Sequence, residues 1–255
     1  MSRLPSWAKK AAIILFWFLF WQGLSMAVHN RIFLVGPVET LRALKDQLFL
    51  PAFWKAVFFS FGRIFLGFLA AFFTGLLTGS LAYRFPLLGE FLEPPVQFMK
   101  SIPVASFVIL ALIRTGAENL SVFISFLVVF PVLYISTVTG LQNTAPELLE
   151  MAAVFRVPLF RRIRYLYRGS LYPYLQSGCR SALGMGFKSG IAAEVIGVPS
   201  GSIGEGFYLS KIYLSTAELF AWTLVIILIS NGFEKLFLIL LKKLAGKGAM
   251  IHEND

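Results

Sequence analysis

The feature that most constrains this chain is a series of long apolar runs with few charges inside them. Several runs reach the roughly 20 residues that a helix needs to cross about 30 Å of hydrocarbon. Only 14 % of the 255 residues are charged, whereas a soluble domain carries about a quarter. We therefore expect an all-α membrane protein with about six transmembrane helices. The runs are Ala11–Val28, Ile64–Ala82, Val104–Ile113, Leu120–Thr139, Gly178–Val198 and Leu219–Leu241.

The third run is too short to span a membrane alone. Extended back over Phe91–Pro103 it becomes a span that we expect Pro94, Pro95 and Pro103 to interrupt, because proline removes a backbone donor. No segment shows the polar and apolar alternation of barrel strands.

Cysteine and histidine give no sign of a disulfide or a metal site. Cys179 is the single cysteine, so it has no partner within the chain. His29 and His252 lie far apart, and neither a CxxC nor an HExxH pattern occurs. We expect no bound metal and no cofactor.

The distribution of basic residues predicts the orientation. Lysine and arginine accumulate in cytoplasmic loops, and a cytoplasmic N-terminus places thirteen of them inside and six outside, with both termini in the cytoplasm. The inside set is Arg3, Lys9, Lys10, Arg84, Lys100, Arg156, Arg161, Arg162, Arg164, Arg168, Lys242, Lys243 and Lys247; the outside set is Arg31, Arg42, Lys45, Lys55, Arg114 and Lys211.

The chain divides into three parts. Residues 1–54 hold the first span and an outer connection, in which mixed charges and leucines predict an amphipathic helix. The alternative that the first span is a cleaved signal peptide stays open. Residues 55–241 form the core, with a basic loop at 142–173, and residues 242–255 form a basic and then polar tail.

The loop at 142–173 has the pattern of a short amphipathic helix. Leu148, Leu149, Ala152 and Ala153 recur at spacings of three and four. Pro146 suits the first turn, and we expect Pro158 to end the helix near Arg156 or Val157. A basic element, Leu159–Arg168, follows. The alternative is a loop whose arginines contact anionic lipid, at about 1 kcal/mol each.

The spacing in this loop resembles the "EAA" cytoplasmic loop of ATP-binding cassette importer permeases. Glu150 and Ala152 match that pattern, Met151 replaces the first alanine, and Arg156 stands where the family has glycine. The segments SFGRIFLGFLAAFFTGLLTG, KSIPVASFVILALIRTGAENLS and GMGFKSGIAAEVIGVPSGSIGEGFYLS look like the branch that serves sulfonates, taurine, nitrate and thiamine precursors. The resemblance covers roughly residues 55–240.

The resemblance implies a type I importer permease in a bacterial inner membrane. It implies a channel that we expect to be a homodimer, two copies of a cytoplasmic ATPase and an extracytoplasmic solute-binding protein. Membrane lipid is an expected partner and nucleic acid is not. We expect no catalytic residue, since the sequence has no GxxxxGK[ST] phosphate loop. The expected ATPase-coupling residues are Leu149, Glu150, Ala152, Ala153, Arg156, Val157 and Pro158.

Two ionisable residues in the fifth run mark a candidate path. Ionisable groups at membrane depth usually face a bundle interior or a water-filled cavity. Lys188 and Glu194 are about 600° of helical rotation apart, so they face different directions. We expect Lys188 to attract an anionic solute, with snorkelling as the alternative. The expected path residues are Ser101, Pro103, Met185, Lys188, Ser189 and Glu194.

Two other functions remain open. An ion-coupled carrier would use Lys188 and Glu194 as its coupling site, although the hydropathy shows no inverted repeat. A membrane scaffold or membrane enzyme would use the basic loop for lipid alone. Close contact between helices is expected at Gly67, Gly75 and Gly79.

Overall fold

The computed structural model describes residues 6–28, 30 and 32–245, and no strand occurs among them. Arg3, His29, Arg31, Lys247 and His252, with most of the predicted tail, lie outside the described residues. The elements are α1 Ser6–Val28, α2 Pro37–Leu48, α3 Pro51–Arg84, α4 Pro86–Ser101, α5 Val104–Gln142, α6 Pro146–Val154, α7 Leu159–Arg162, a π-helical turn Ile163–Tyr167, α8 Arg168–Gly197, α9 Ile203–Ile212 and α10 Thr216–Ala245.

The six predicted apolar runs lie on five long helices. Among the described residues, four stretches have the length and composition to cross a membrane: Ala8–Val28, Pro51–Arg84, Val104–Gln142 and Thr216–Lys243. The fifth long helix, α8, has 30 residues but is more polar than these four. The amphipathic helix predicted after the first span is confirmed as α2, and its location on the outer side stays a prediction.

Of the three prolines expected to interrupt the third span, Pro103 lies at a break and the other two do not. The expected interruption at Pro94 and Pro95 is wrong, because α4 continues through both. Proline fixes φ near the helical value but has no backbone N–H. A helix can therefore continue through a proline where the loss of that one hydrogen bond is tolerated. The break falls at Ile102 and Pro103, whose extended backbone separates α4 from α5.

A single glycine divides α5 into two limbs. Gly116 has φ 72° and ψ 165°, a conformation that glycine adopts without a steric penalty. The change of direction lets Val108 on the first limb share a buried cluster with Leu120 and Ile124 on the second. The predicted third and fourth runs are therefore the two limbs of one bent helix.

The second limb of α5 packs between α3 and α8, and small residues allow this close contact. A methyl group added at Gly79 would lie 2.8 Å from Cβ of Thr137, and one at Gly186 would lie 2.8 Å from Cγ2 of Val129. The predicted contacts at Gly67, Gly75 and Gly79 are confirmed, and all three lie against α5.

Aromatic rings attach α10 to this core. The Phe233 ring lies edge-on to Phe61 and Phe65 of α3, with centroids 5.3 and 5.1 Å apart, and 5.7 Å from Phe187 of α8. Such pairs add about 0.5–1.5 kcal/mol beyond burial of their area. By contrast, the apolar window of α1 buries none of its residues in the protein.

We expect Gly67→Ala to destabilise the protein by about 1–3 kcal/mol through overpacking. The added methyl group would collide with the backbone carbonyl oxygen of Val122, which cannot move aside as a flexible side chain can. Thermal unfolding in detergent measures the effect. Gly62→Ala, on the same helix, meets nothing within 4 Å and is the matched control. Equal melting temperatures for the two variants would contradict the packing described above.

Candidate functional site

The segment between α5 and α8, residues 146–167, exposes apolar side chains around a buried alanine. We call it the coupling segment. Ala152 is fully buried, whereas Val154 is 78 % and Phe155 is 74 % exposed. Leu148 and Met151 of α6 are also exposed. Exposed apolar groups grouped on one short helix are typical of a surface that binds another protein.

A left-handed residue ends α6. The amide of Val157 donates to the carbonyl of Ala152 at 2.9 Å, and the amide of Arg156 donates to the carbonyl of Ala153 at 3.0 Å. These two bonds form a Schellman motif, whose left-handed position usually holds glycine. Here it holds Arg156, with φ 49°. The position where the resemblance predicts glycine thus has a backbone conformation that favours glycine, with an arginine in it. Helix α6 ends at Val154, two residues earlier than predicted.

The side chain of Arg162 braces this turn. Its Nε donates to the carbonyl of Val157 at 2.8 Å, and its terminal nitrogen donates to the carbonyl of Ala152 at 3.0 Å. Carbonyls at a helix end lack partners within the helix, and hydrogen bonds to a charged donor are stronger than neutral ones. Arg162 therefore fixes α7 against the end of α6.

The coupling segment continues into α8 without a break. The π-helical turn Ile163–Tyr167 leads directly into Arg168, and Pro173 lies inside α8. The predicted loop at 142–173 therefore includes the first turn of α8. The Tyr167 ring also packs edge-on against Tyr83 near the end of α3, with centroids 5.8 Å apart. Movement of the coupling segment would thus reach α8 and α3 together.

The remaining predicted coupling residues lie around the same turn. Glu150, Ala153 and Pro158 are exposed, and Leu149 and Val157 are half-buried. The sequence did not single out Arg162, since nothing in a run of five arginines distinguishes the one that bonds to the backbone.

Most predicted path residues are accessible. Ser101 and Pro103 are exposed at the break between α4 and α5, and the Ser101 hydroxyl donates to the carbonyl of Gln97 at 2.9 Å. On α8, Met185 and Lys188 are exposed and Ser189 is half-buried. Within the described part of the chain, Lys188 has neither a hydrogen bond nor an ion pair.

Glu194 has a different environment from Lys188. It is fully buried, and its Oε2 accepts a hydrogen bond of 2.5 Å from the hydroxyl of Ser60 on α3. The same hydroxyl accepts the amide of Ile203 at 2.9 Å, and the Gly204 amide approaches Oε2 at 3.4 Å. These amides belong to the first turn of α9, where a carboxylate is favoured by the helix dipole. The carboxylate of Glu194 therefore joins α8, α3 and α9.

The sequence carried partial signals for this junction. Ser202 and Glu205 have the spacing of a capping box: the Ser202 hydroxyl accepts the Glu205 amide at 3.0 Å, and the Glu205 carboxylate accepts the amide of Gly201, just before the N-cap, at 2.5 Å. That motif is readable from spacing alone. The contribution of Ser60, 134 residues from Glu194, is not. Among the described residues no cluster of three or more metal-ligating side chains occurs.

We expect Arg162→Met to loosen the end of α6. The substitution removes both guanidinium bonds, so amide hydrogen exchange across residues 146–158 should speed up by about tenfold or more. Exchange measured by mass spectrometry on the detergent-solubilised chain reads this out. Arg161→Met, which removes a neighbouring arginine that makes no such bond, should leave exchange unchanged. Identical exchange in the two variants would show that Arg162 does not brace the turn.

Together, the apolar helices and the braced segment between two of them define a multi-helix membrane protein with exposed apolar side chains on a short segment between α5 and α8. Residues 64–244 match the family described as the inner membrane component of binding-protein-dependent transport systems. The chain belongs to that family, and it is a permease component of a transport system in the inner membrane. A permease of this kind works with an ATPase and a solute-binding protein.

Permease proteins of several bacterial transport systems are similar to this chain. The bicarbonate transport system permease protein CmpB of Synechocystis sp. is 30 % identical over 163 residues, which are 63 % of this chain and 57 % of that relative. CmpB of Synechococcus elongatus is 28 % identical over 233 residues, covering 83 % and 82 %. The putative aliphatic sulfonates transport permease protein SsuC of Bacillus subtilis is 24 % identical over 227 residues, covering 88 % and 82 %.

Proposed function

We propose that this chain forms, as a homodimer, the transmembrane path of an ATP-driven importer for a small solute. Two copies of an ABC ATPase bind the coupling segments in the cytoplasm, where both termini lie, and a solute-binding protein delivers the solute on the other side. Hydrolysis takes place on the ATPase chains. The observation that carries this proposal is the coupling segment, whose exposed apolar side chains stand on a turn held by backbone and arginine hydrogen bonds.

A docking helix must be rigid if it is to transmit force. The Schellman bonds and Arg162 hold α6 and α7 in one arrangement, and the π-helical turn continues into α8. ATP shifts the equilibrium only if it binds one conformation of the complex more tightly than the other. In this proposal the closing ATPases draw the two coupling segments together, and α8 and α3 follow.

The accessible face of α8 is the best candidate for the path wall. Met185, Lys188 and Ala192 are exposed at spacings of three and four, so they share one face, with Ser189 beside it. Lys188 has no partner in the described chain, which suits a charge that meets solute or a second protomer rather than a neighbouring helix. Ser101 and Pro103 extend this lining at the break before α5. Glu194 holds α8 in position through its hydrogen bonds to Ser60 on α3 and to the Gly204 amide of α9.

The competing functions lack a comparable structural basis. An ion-coupled carrier needs its two charges near one path, but Glu194 is buried in a junction while Lys188 is exposed. A lipid-binding scaffold would use the arginines of the coupling segment, yet Arg162 is bonded to backbone carbonyls. Purification in mild detergent separates these functions, because neither a carrier nor a scaffold brings a stoichiometric ATPase with it.

We expect Met151→Cys and Val154→Cys to crosslink to the ATPase subunit in the purified complex. Both side chains are exposed on α6, and the native Cys179 is buried. Tyr213→Cys, an exposed position beyond α9 on the opposite side of the core, is the control and should not crosslink. If neither α6 position forms an adduct in an active complex, the importer proposal fails.

We expect Lys188→Met to reduce uptake of an anionic solute by about tenfold in proteoliposomes that hold the complete complex, since one favourable charge contact is lost. Lys188→Arg should keep most of the uptake. Lys211→Met, on α9 away from this face, controls for a general loss of positive charge. Unchanged uptake and solute preference in Lys188→Met would show that Lys188 does not contact the solute during transport.

A further inference from the structure

A cavity of about 460 Å³ lies between the end of α3, α4 and the end of α5. Its volume is within the range of small-ligand sites. The polar part of its lining comes from Tyr83, Glu90, Glu93, Gln97, Tyr134, Thr139 and Gln142, and no lysine or arginine lines it. None of its lining residues belongs to the coupling segment or to the exposed face of α8 that carries Lys188.

Two carboxylates on α4 face this cavity without partners of their own. Glu90 and Glu93 are three residues apart, so they lie on one side of the helix, and both line the cavity. Neither makes an ion pair or hydrogen bond with the described residues. Both side chains are exposed, so they are free to pair with a positively charged ligand in the cavity.

An unpartnered tyrosine closes the cavity from the α5 side. Tyr134 is only 7 % exposed, and its hydroxyl makes no hydrogen bond with the described residues. Tyr134 and Glu93 line the same cavity from opposite helices. The hydroxyl of Tyr134 is therefore available to an occupant of the cavity.

We propose that this cavity binds a protonated nitrogen group, such as a primary ammonium. Two carboxylates supply the opposite charge, Gln97, Thr139 and the hydroxyl of Tyr134 supply hydrogen bonds, and two tyrosine rings offer π faces to a cation. An inorganic anion such as those named for the relatives finds no positive group there. The ammonium group has two possible sources. One is the transported solute, and this assignment rests on the proposed function. The other is the phosphatidylethanolamine headgroup of the inner leaflet.

The position of the cavity connects it to the coupling segment. Tyr83 lines it and also contacts Tyr167 of the π-helical turn. A displacement of the coupling segment therefore moves one wall of the cavity. With Lys188 on another face, the protomer offers charges of opposite sign at two places, which favours a zwitterionic solute over a simple anion.

Three small probes of similar size test the chemistry: ethylammonium, ethanesulfonate and 2-aminoethanesulfonate. Each is titrated against the full chain in nanodiscs of phosphatidylglycerol, with saturation-transfer NMR as the readout of binding. We expect strong signals from the two amines and at most a weaker one from ethanesulfonate, which Lys188 rather than the cavity would attract. Glu90→Gln/Glu93→Gln should weaken amine binding by at least about tenfold, and Tyr134→Phe by about two- to tenfold. Asp46→Asn, an exposed carboxylate on α2, is the matched control and should bind as the parent does.

A second arm separates the two sources of the ammonium group. Nanodiscs that also contain phosphatidylethanolamine should leave amine binding unchanged if the solute is the natural occupant. Loss of the probe signals in those discs supports the site but assigns it to the lipid headgroup. Equal binding of ethanesulfonate, or amine binding that survives in the double variant with unchanged thermal unfolding, would overturn the proposal. None of these results depends on ATPase docking, so failure here leaves the crosslinking test of the importer function intact.

Discussion

The close approach of α5 to α3 on one side and to α8 on the other is the contact on which the rest of the structure depends. Glycine occurs where these helices meet, so backbone and short side chains touch directly: Gly75 lies against Leu133, and Gly186 lies against Val129. Contacts of this kind have little freedom to adjust, because no long side chain can change rotamer to absorb a shift. The three helices therefore transmit a displacement at their ends instead of damping it. α5 leads into the coupling segment, and the segment leads into α8.

The turn at the end of α6 holds an arginine in a conformation that glycine usually adopts. A left-handed conformation at a residue other than glycine costs about 1–2 kcal/mol, and Arg156 adopts it. The two Schellman hydrogen bonds and the two bonds from Arg162 offset that cost. The arginines of this segment therefore differ in their contacts. Arg162 bonds to the backbone of the turn, whereas the side chains of Arg156 and Arg161 are exposed.

The sequence predicted the features that depend on local pattern. The apolar runs, the amphipathic outer helix, the glycine contacts of α3 and the short helix beginning at Pro146 are each encoded within a few turns, and the structure has them. The unusual position of Arg156 was also visible, because glycine was expected there. One expectation was wrong because proline was taken as a helix breaker at Pro94 and Pro95. A proline whose lost hydrogen bond is tolerated stays inside a helix.

What the sequence could not predict is set by contacts between distant parts of the chain. The junction of Glu194 with Ser60 joins residues 134 positions apart, and the cavity on α4 combines side chains from three helices. In the sequence, nothing distinguishes Glu90 and Glu93 from other charges near a helix start. The structure shows that they line a cavity together with Tyr134. The number of membrane crossings, the orientation and the dimer remain predictions, since they depend on the bilayer and on a second chain.

The central claim is that the coupling segments of two identical protomers move together when ATP binds. A spin label at Val154→Cys in the reconstituted complex tests it by pulsed dipolar spectroscopy, with one label in each protomer. The account predicts a defined distance between the two labels, which becomes shorter when ATP is bound and hydrolysis is blocked. Absence of any coupling between labels, or one distance that is the same with and without ATP, would contradict it.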